Sequence, residues 1–419
     1  MLHRAEWVVP VLLPRIRDGA VLVGDGRILA VDGYSSLKKE IPPDTVVLDH
    51  GNSAIMPALI NAHTHLELSA LRGKISFPRA GFPDWLDAMS SQRADLDVSG
   101  MREGFSAAIR ELREDGTVLC GDITNGAYDF FLGTDGESMS GHVLGAADSS
   151  GAFPRRLVFL ELLGFNCESL TAAFPDRIDP AMNGRRFTAV PHSPYSVSSQ
   201  VIAEAKAECR KLGLPFSIHA AEHLEEVEFL RSGTGFVREF LDRLGKWVPG
   251  WRPPSMSPVE YLDSLGSLDS LTLLVHAVHL SDSDWSIVAG RKCSVCFCPR
   301  SNRNLGAGSP DIPRALSSGI RSCLGTDSLA SNSDLNLFSE AGFVLDNYPG
   351  INPDSVLAMI TANPAGALGC ATEFGSIGPG LEAALLVVSL ESKGPNLAEA
   401  IIHSGQKGSW KWANRILEG

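Results

Sequence analysis

Apolar residues in the middle of this chain gather into short runs, and the intervals between them carry apolar and polar residues at helical spacing. Eight such runs stand out: Ala54–Ile60, Thr117–Ile123, Leu157–Leu163, Phe187–Val190, Pro215–Ile218, Leu271–Val275, Cys293–Phe297 and Ile320–Leu324. The runs read as strands, and intervals such as Ser199–Leu212 and Ala220–Ser232 read as helices. Strand–helix alternation predicts a parallel sheet. Eight repeats match a closed (β/α)8 barrel. The alternative is an open doubly wound sheet, but no glycine-rich dinucleotide fingerprint follows the first run.

The two ends have a different texture. Ala20–Gly26 followed by Arg27–Val31 predicts a hairpin turning at Asp25-Gly26. Val46–Leu48 is a further short strand, and Leu385–Ser389 follows a Gly-Pro-Gly turn at residues 378–380. Two long stretches interrupt the middle. Trp247–Pro254 is aromatic and proline-rich, and reads either as a rigid surface loop or as a lid on the C-terminal side of a strand. Residues 128–150 are rich in Gly, Ser and Asp, a composition that suits a mobile loop.

Composition narrows the function classes. The chain has 419 residues, 44% hydrophobic and 20% charged, which is a globular and not a disordered composition. Its net charge of −13 argues against nucleic acid or an anionic membrane as a partner. No apolar run approaches the ~20 residues of a membrane span. The apolar stretch Trp7–Leu13 is broken by Pro10, and no cleavage site of small residues follows it. The eight cysteines then read as reduced thiols in a cytoplasmic protein. Within Cys293-Ser-Val-Cys-Phe-Cys298, Cys293 and Cys296 differ in strand parity, and no second pair completes a zinc site, so they read as small core residues.

The polar residues that close the runs carry the chemistry. His63 and His65 follow the first run; side chains at i and i+2 of a strand point the same way, so both imidazoles can reach one metal. Pro191-His192 follows the fourth run, His219 and then Glu222 the fifth, His276 the sixth, and Gly325-Thr-Asp327 the eighth. Five strands thus deliver His or Asp to the face where barrel active sites are built. Six His and Asp positions at one layer point to a metal site.

Met56–His65, His219-Ala-Ala-Glu222, His276–Leu280 and Leu324–Asn332 resemble, in that order, the amidohydrolase superfamily, within its branch of nucleoside and nucleobase deaminases and triazine hydrolases. The resemblance implies a distorted (β/α)8 TIM-type barrel (residues 54–372) with a small β-sandwich built from both termini (residues 1–53 and 373–419). It implies one divalent metal, zinc ahead of iron, held by His63, His65, His219 and Asp327. His276 would lie beside the metal-bound water. Glu222, a helical turn beyond His219, would shuttle protons, and Asp327 would accept the proton released on attack. Binuclear relatives carry a carboxylated lysine where this chain has His192, which argues for one metal and leaves His192 to contact substrate.

Leu66-Glu-Leu-Ser69, Pro191-His-Ser-Pro-Tyr195 and Cys298-Pro-Arg-Ser-Asn302 resemble the aminodeoxyfutalosine deaminase group, which acts on an adenine-type nucleoside bearing a benzoate in a menaquinone pathway. Such a substrate calls for a cation, and Arg300 is the first candidate, with Arg72 and Arg79 behind it. Glu67 is a candidate for ribose hydroxyls, Trp85 for the pocket wall and Ser328 for a substrate contact. The segment Glu161–Asn166 lacks the arginines of S-adenosylhomocysteine deaminases. That enzyme type, adenosine or guanine deaminases, and triazine or cyclic-amide hydrolases are the alternatives. The expected ligand is a small molecule and the expected assembly a homodimer.

Overall fold

The computed structural model describes residues 1–77, 81–132, 154–391 and 396–413. The ends meet in one seven-stranded sheet. Its strands are β1 (Leu2–Val8), β2 (Ile16–Gly24), β3 (Arg27–Gly33), β4 (Val47–Asp49) and β5 (Ser53–Pro57) from one end. Two more, β14 (Leu385–Ser389) and β15 (Trp410–Trp412), come from the other. The β2–β3 hairpin turns at Asp25-Gly26, both at positive φ (52° and 73°), as a turn matched to strand twist requires. β5 ties the ends together, pairing parallel with β1 and antiparallel with β14.

Between the ends lie two four-stranded parallel sheets. One is β6 (Leu59–Thr64), β7 (Thr117–Thr124), β8 (Arg155–Leu162) and β9 (Thr188–Pro191). The other is β10 (Phe216–Ala220), β11 (Thr272–His276), β12 (Ser294–Phe297) and β13 (Arg321–Leu324). Their residues are buried almost throughout, because helices cover the outer faces and side chains fill the space between. Phe159, Phe187, Phe216 and Phe297 are buried in one continuous core. Backbone hydrogen bonds join the two sheets at both edges: His219 N donates to His192 O (2.9 Å), and Asp327 N to His63 O (3.1 Å).

The first apolar run divides in two. Its opening residues belong to β5 in the terminal sheet, and only from Leu59 does the chain enter the parallel strands. Trp247 and Trp251 of the proline-rich loop pack against Phe165 and Phe229, with the Trp251 and Phe229 rings stacked at 4.8 Å. Of residues 128–150, those from 133 on lie outside the described residues, as does Arg79. No described helix is long and apolar enough to cross a membrane.

Candidate active site

The C-terminal ends of the parallel strands converge on one cavity of about 430 Å³. Its floor is a cluster of imidazoles. His63 Nε2 lies 3.1 Å from His65 Nε2 and 3.3 Å from His219 Nε2, and Asp327 Oδ1 is 3.8 Å from His63 Nε2 and 3.6 Å from His65 Nε2. Burial drives the protons off these rings. His63 is held well below the usual imidazole value by burial and by its neighbouring rings, and His65 is pushed down to about 3. Unprotonated nitrogens at this spacing aim lone pairs at one another. One cation between them removes the conflict. Donors 2.0–2.1 Å from a tetrahedral ion are about 3.4 Å apart, and the observed spacings bracket that value. His63, His65, His219 and Asp327 therefore fit a divalent ion. The His219 ring is oriented from behind, its Nδ1 lying 3.0 Å from the His192 carbonyl.

Asp327 is buried, which alone would raise its carboxyl pKa. The imidazoles of His65 and His276 and a hydrogen bond from Ser301 outweigh burial and hold it below the ordinary carboxylate value. Glu222 is the opposite case. Burial, with Asp327, Glu226 and Glu161 nearby, raises its carboxyl well above the usual range. Glu222 Oε1 stands 3.6 Å from His276 Nε2. Behind it, both oxygens of buried Glu226 accept backbone N–H groups, from Ala221 and from Glu222 itself, at 3.0 Å. Four residues here hold positive φ without being glycine: Ala221 (53°), His276 (72°), Ala277 (50°) and Asp327 (57°). Strain of this kind persists only where the surroundings impose it, and it collects at working sites.

Of the other candidates from sequence, His192, Trp85 and Ser328 line the cavity. His192 Nδ1 is engaged by Ser193 and Ser196 (2.9 and 2.7 Å), and Trp85 Nε1 donates to the Ala330 carbonyl (3.0 Å), so its ring faces the cavity with its polar atom spent. Glu67 lines the cavity too, and both its oxygens are engaged: Oε1 by Arg93 (2.6 Å), Oε2 by Thr124 Oγ1 and Asn125 N (2.5 and 2.9 Å). Oε1 accepts one of these bonds and keeps an acceptor site, so Glu67 stays a candidate for ribose hydroxyls. Arg300 does not line the cavity. Its guanidinium is spent on Asp334 through two 2.7 Å hydrogen bonds and on Ser333, with buried Glu340 3.7 Å away. The expectation that it reads a substrate carboxylate is corrected accordingly. Arg72 is likewise committed, to Glu111.

Sequence reasoning missed Arg93, Asn125 and Glu161, which form one polar wall of the cavity. Arg93 Nη1 donates to Asn125 Oδ1 (3.0 Å), and Asn125 Nδ2 donates to Glu161 Oε2 (3.0 Å). Asn125 follows the second apolar run, and Glu161 lies near the end of the third. The strand-end rule that found the histidines would have found them had it been applied to amides and to Glu. The other walls are apolar, with Leu68, Phe82, Leu86, Met89, Phe165 and Leu241.

Parallel strands ending in a His–Asp cluster beside a buried glutamic acid suit a metal-dependent hydrolase. The chain belongs to the amidohydrolase family, whose model matches residues 54–410, and it is a hydrolase of carbon–nitrogen bonds. It is 30% identical over 358 residues to 5-methylthioadenosine/S-adenosylhomocysteine deaminase 2 of Archaeoglobus fulgidus, covering 83% of this chain and 78% of that one. It is 29% identical over 360 residues to the aminodeoxyfutalosine deaminase of Deinococcus radiodurans, covering 80% and 77%. Among solved structures, the Helicobacter pylori aminofutalosine deaminase bound to methylthio-coformycin superposes with a TM-score of 0.79 at 22% identity, covering 97% of this chain and 96% of that one. A zinc-bound adenosine deaminase from Xanthomonas campestris superposes at 0.74 with 24% identity, covering 97% and 90%.

Proposed function

We propose that this protein is a hydrolytic deaminase of an adenine-type nucleoside, holding one divalent ion, zinc ahead of iron, on His63, His65, His219 and Asp327. When bound, that ion would supply Lewis acidity and make hydroxide available near neutral pH. The chain's own residues do the rest. Glu222, its carboxyl raised by burial, donates to a ring nitrogen of the base and regains its proton from the next water. Asp327 takes up the proton released from the attacking oxygen. The proton then passes to the departing amino group, and ammonia leaves. Positioned acid–base groups of this kind are worth ~10²–10⁴-fold. His276 and His192 orient the reactants, and the apolar walls exclude bulk water.

The observation that carries the reading is the convergence of His63, His65, His219 and Asp327 within 3.1–3.8 Å of one another, with Glu222 Oε1 3.6 Å from His276 Nε2 beside them. Burial raises the Glu222 carboxyl while the surroundings lower that of Asp327, which suits the two to acid and base duties. The adenine-type substrate is supported by the deaminase relatives, and aminodeoxyfutalosine is the first compound to test. A second reading has its own support. The relative at 30% identity is a methylthioadenosine/S-adenosylhomocysteine deaminase, and the apolar walls suit a thioether as well as an aromatic 5′ group.

An ammonia-release panel separates them: aminodeoxyfutalosine, methylthioadenosine, S-adenosylhomocysteine, adenosine, guanine and a chlorotriazine. Highest kcat/KM on aminodeoxyfutalosine supports the first reading, and on a thioether nucleoside the second. Turnover of guanine or the triazine alone removes both. The architecture that accompanies this reading is a closed barrel over residues 59–372 with the seven-stranded sheet as a second unit. The hydrogen bonds at both sheet edges support closure. A homodimer in the cytoplasm completes the proposal, and sedimentation tests the assembly.

A further inference from the structure

The short helix Pro299–Asn304 follows β12, and its consecutive side chains each grip a different part of the site. Ser301, fully buried, donates to Asp327 Oδ2 at 2.5 Å, and Ser331 donates to the same oxygen at 2.9 Å. Oδ2 is thereby saturated, and Oδ1 is the oxygen left facing His63 and His65. Without the two hydroxyls the carboxylate could turn about its last bond and exchange the two oxygens. Asn302, also buried, sets its Nδ2 3.0 Å from His276 Nδ1. In this orientation of the amide Nδ2 donates to Nδ1, which places the proton of the neutral ring on Nε2. That nitrogen faces Glu222 Oε1. Asn304 reaches Ser331 O at 2.9 Å, and Arg300 fastens the helix to Asp334.

We infer that this helix is a positioning element for two of the four strained residues of the site, Asp327 and His276. Ser301 fixes which oxygen of Asp327 is presented, and Asn302 fixes His276 as the tautomer protonated on Nε2. His276 is therefore a hydrogen-bond donor in the cavity and takes no proton there, which leaves proton transfer to Glu222 and Asp327. The inference rests on the proposed roles of Asp327 and His276, but not on the identity of the substrate.

The test begins without substrate. In the zinc-loaded protein labelled with ¹⁵N-histidine, the His276 ring is assigned by loss of its signals in H276N. Long-range ¹H–¹⁵N spectra should show a protonated Nε2 and an unprotonated Nδ1; a proton on Nδ1 overturns the His276 half. In Asn302→Asp a carboxylate accepts from Nδ1, so the tautomer should switch and kcat should fall while zinc content stays at the wild-type level. An unchanged tautomer in N302D also overturns that half. For Asp327, Ser301→Ala should yield zinc to a chelator ~10–100-fold more readily, the usual cost of losing a group that orients a metal ligand. Ser301→Thr keeps the hydroxyl and should restore retention. Wild-type retention by S301A, or no rescue by S301T in a folded protein, overturns the Asp327 half. Both readouts stay decisive if no nucleoside on the panel is turned over, so failure of the inference is distinguishable from failure of the substrate reading.

Discussion

Replacing Arg300 by Met keeps most of the alkyl packing and removes a guanidinium held by Asp334, Ser333 and Glu340. Two terms set the cost. Asp334 has a side chain 36% exposed and regains water when its partner leaves, so that pair contributes in the surface range, up to about 1 kcal/mol. Glu340 is fully buried, and stripping one partner from a buried pair costs about 3–5 kcal/mol when the survivor stays charged. Glu340 can instead take a proton. Burial raises its carboxyl to about 8, against the lowering effects of Arg300 and of the Asn332 hydrogen bond.

A raised folded-state pKa means the folded protein holds this proton more tightly than the unfolded chain. The associated stability is present below the ordinary carboxyl range and is lost as pH rises through about 8. Removing Arg300 pushes that value higher still. At pH 6 Glu340 is neutral with or without Arg300, so the penalty is the exposed pair plus minor packing, about 1–2 kcal/mol. At pH 9, one unit above the wild-type value, the wild type carries a paired carboxylate while the variant keeps its proton, which adds about 1.4 kcal/mol and brings the penalty to about 2–3 kcal/mol. Urea unfolding of wild type, R300M, E340Q and the double variant at both pH values measures this. The double variant should lose the pH dependence. A penalty for R300M that is equal at pH 6 and pH 9, or single-variant costs that simply add, would refute the reasoning. Substrate preference should be the same in R300M as in wild type, because Arg300 does not line the cavity.

Three further outcomes are expected. Gly325→Ala places a methyl group 2.7 Å from the His63 carbonyl oxygen and 2.8 Å from Cys296 Sγ, neither of which can retreat cheaply, so stability to unfolding should fall by about 1–3 kcal/mol, lowering Tm, and metal content should drop with it. Glu226→Gln cannot accept both the Ala221 and Glu222 amides; an orphaned buried donor costs about 1–3 kcal/mol, and kcat should fall about 10-fold or more at unchanged metal content. Prolonged chelation should abolish ammonia release, and about one equivalent of zinc per chain should restore it; a requirement for two would contradict the single-site reading.

How far the fold and site could be read in advance follows from which features are local. Seven of the eight apolar runs became parallel strands because a strand buried on both faces must be apolar along its length. The first run failed to divide in the reading because Ala54–Ile60 is apolar throughout, and only the pairing of β5 with β1 and β14 separates its two parts. The metal-side residues were legible because each closes a strand. Arg300 was misread for the complementary reason: what a guanidinium faces depends on Asp334 and Glu340, more than thirty residues away in the chain. The partners of Glu67 were hidden in the same way, since they come from Arg93 and the Thr124-Asn125 corner. Side chains fixed by tertiary partners leave no periodic signal.

The central claim is that Glu222 moves protons while His63, His65, His219 and Asp327 hold the metal. It is tested most directly by measuring metal content and ammonia release together in Glu222→Gln. The amide fills the same space and keeps the fold, but cannot carry the proton. The account expects about one metal per chain, as in wild type, and at least ~10²-fold slower turnover of the best panel substrate. A folded E222Q that has lost its metal, or one that keeps wild-type turnover, would contradict it.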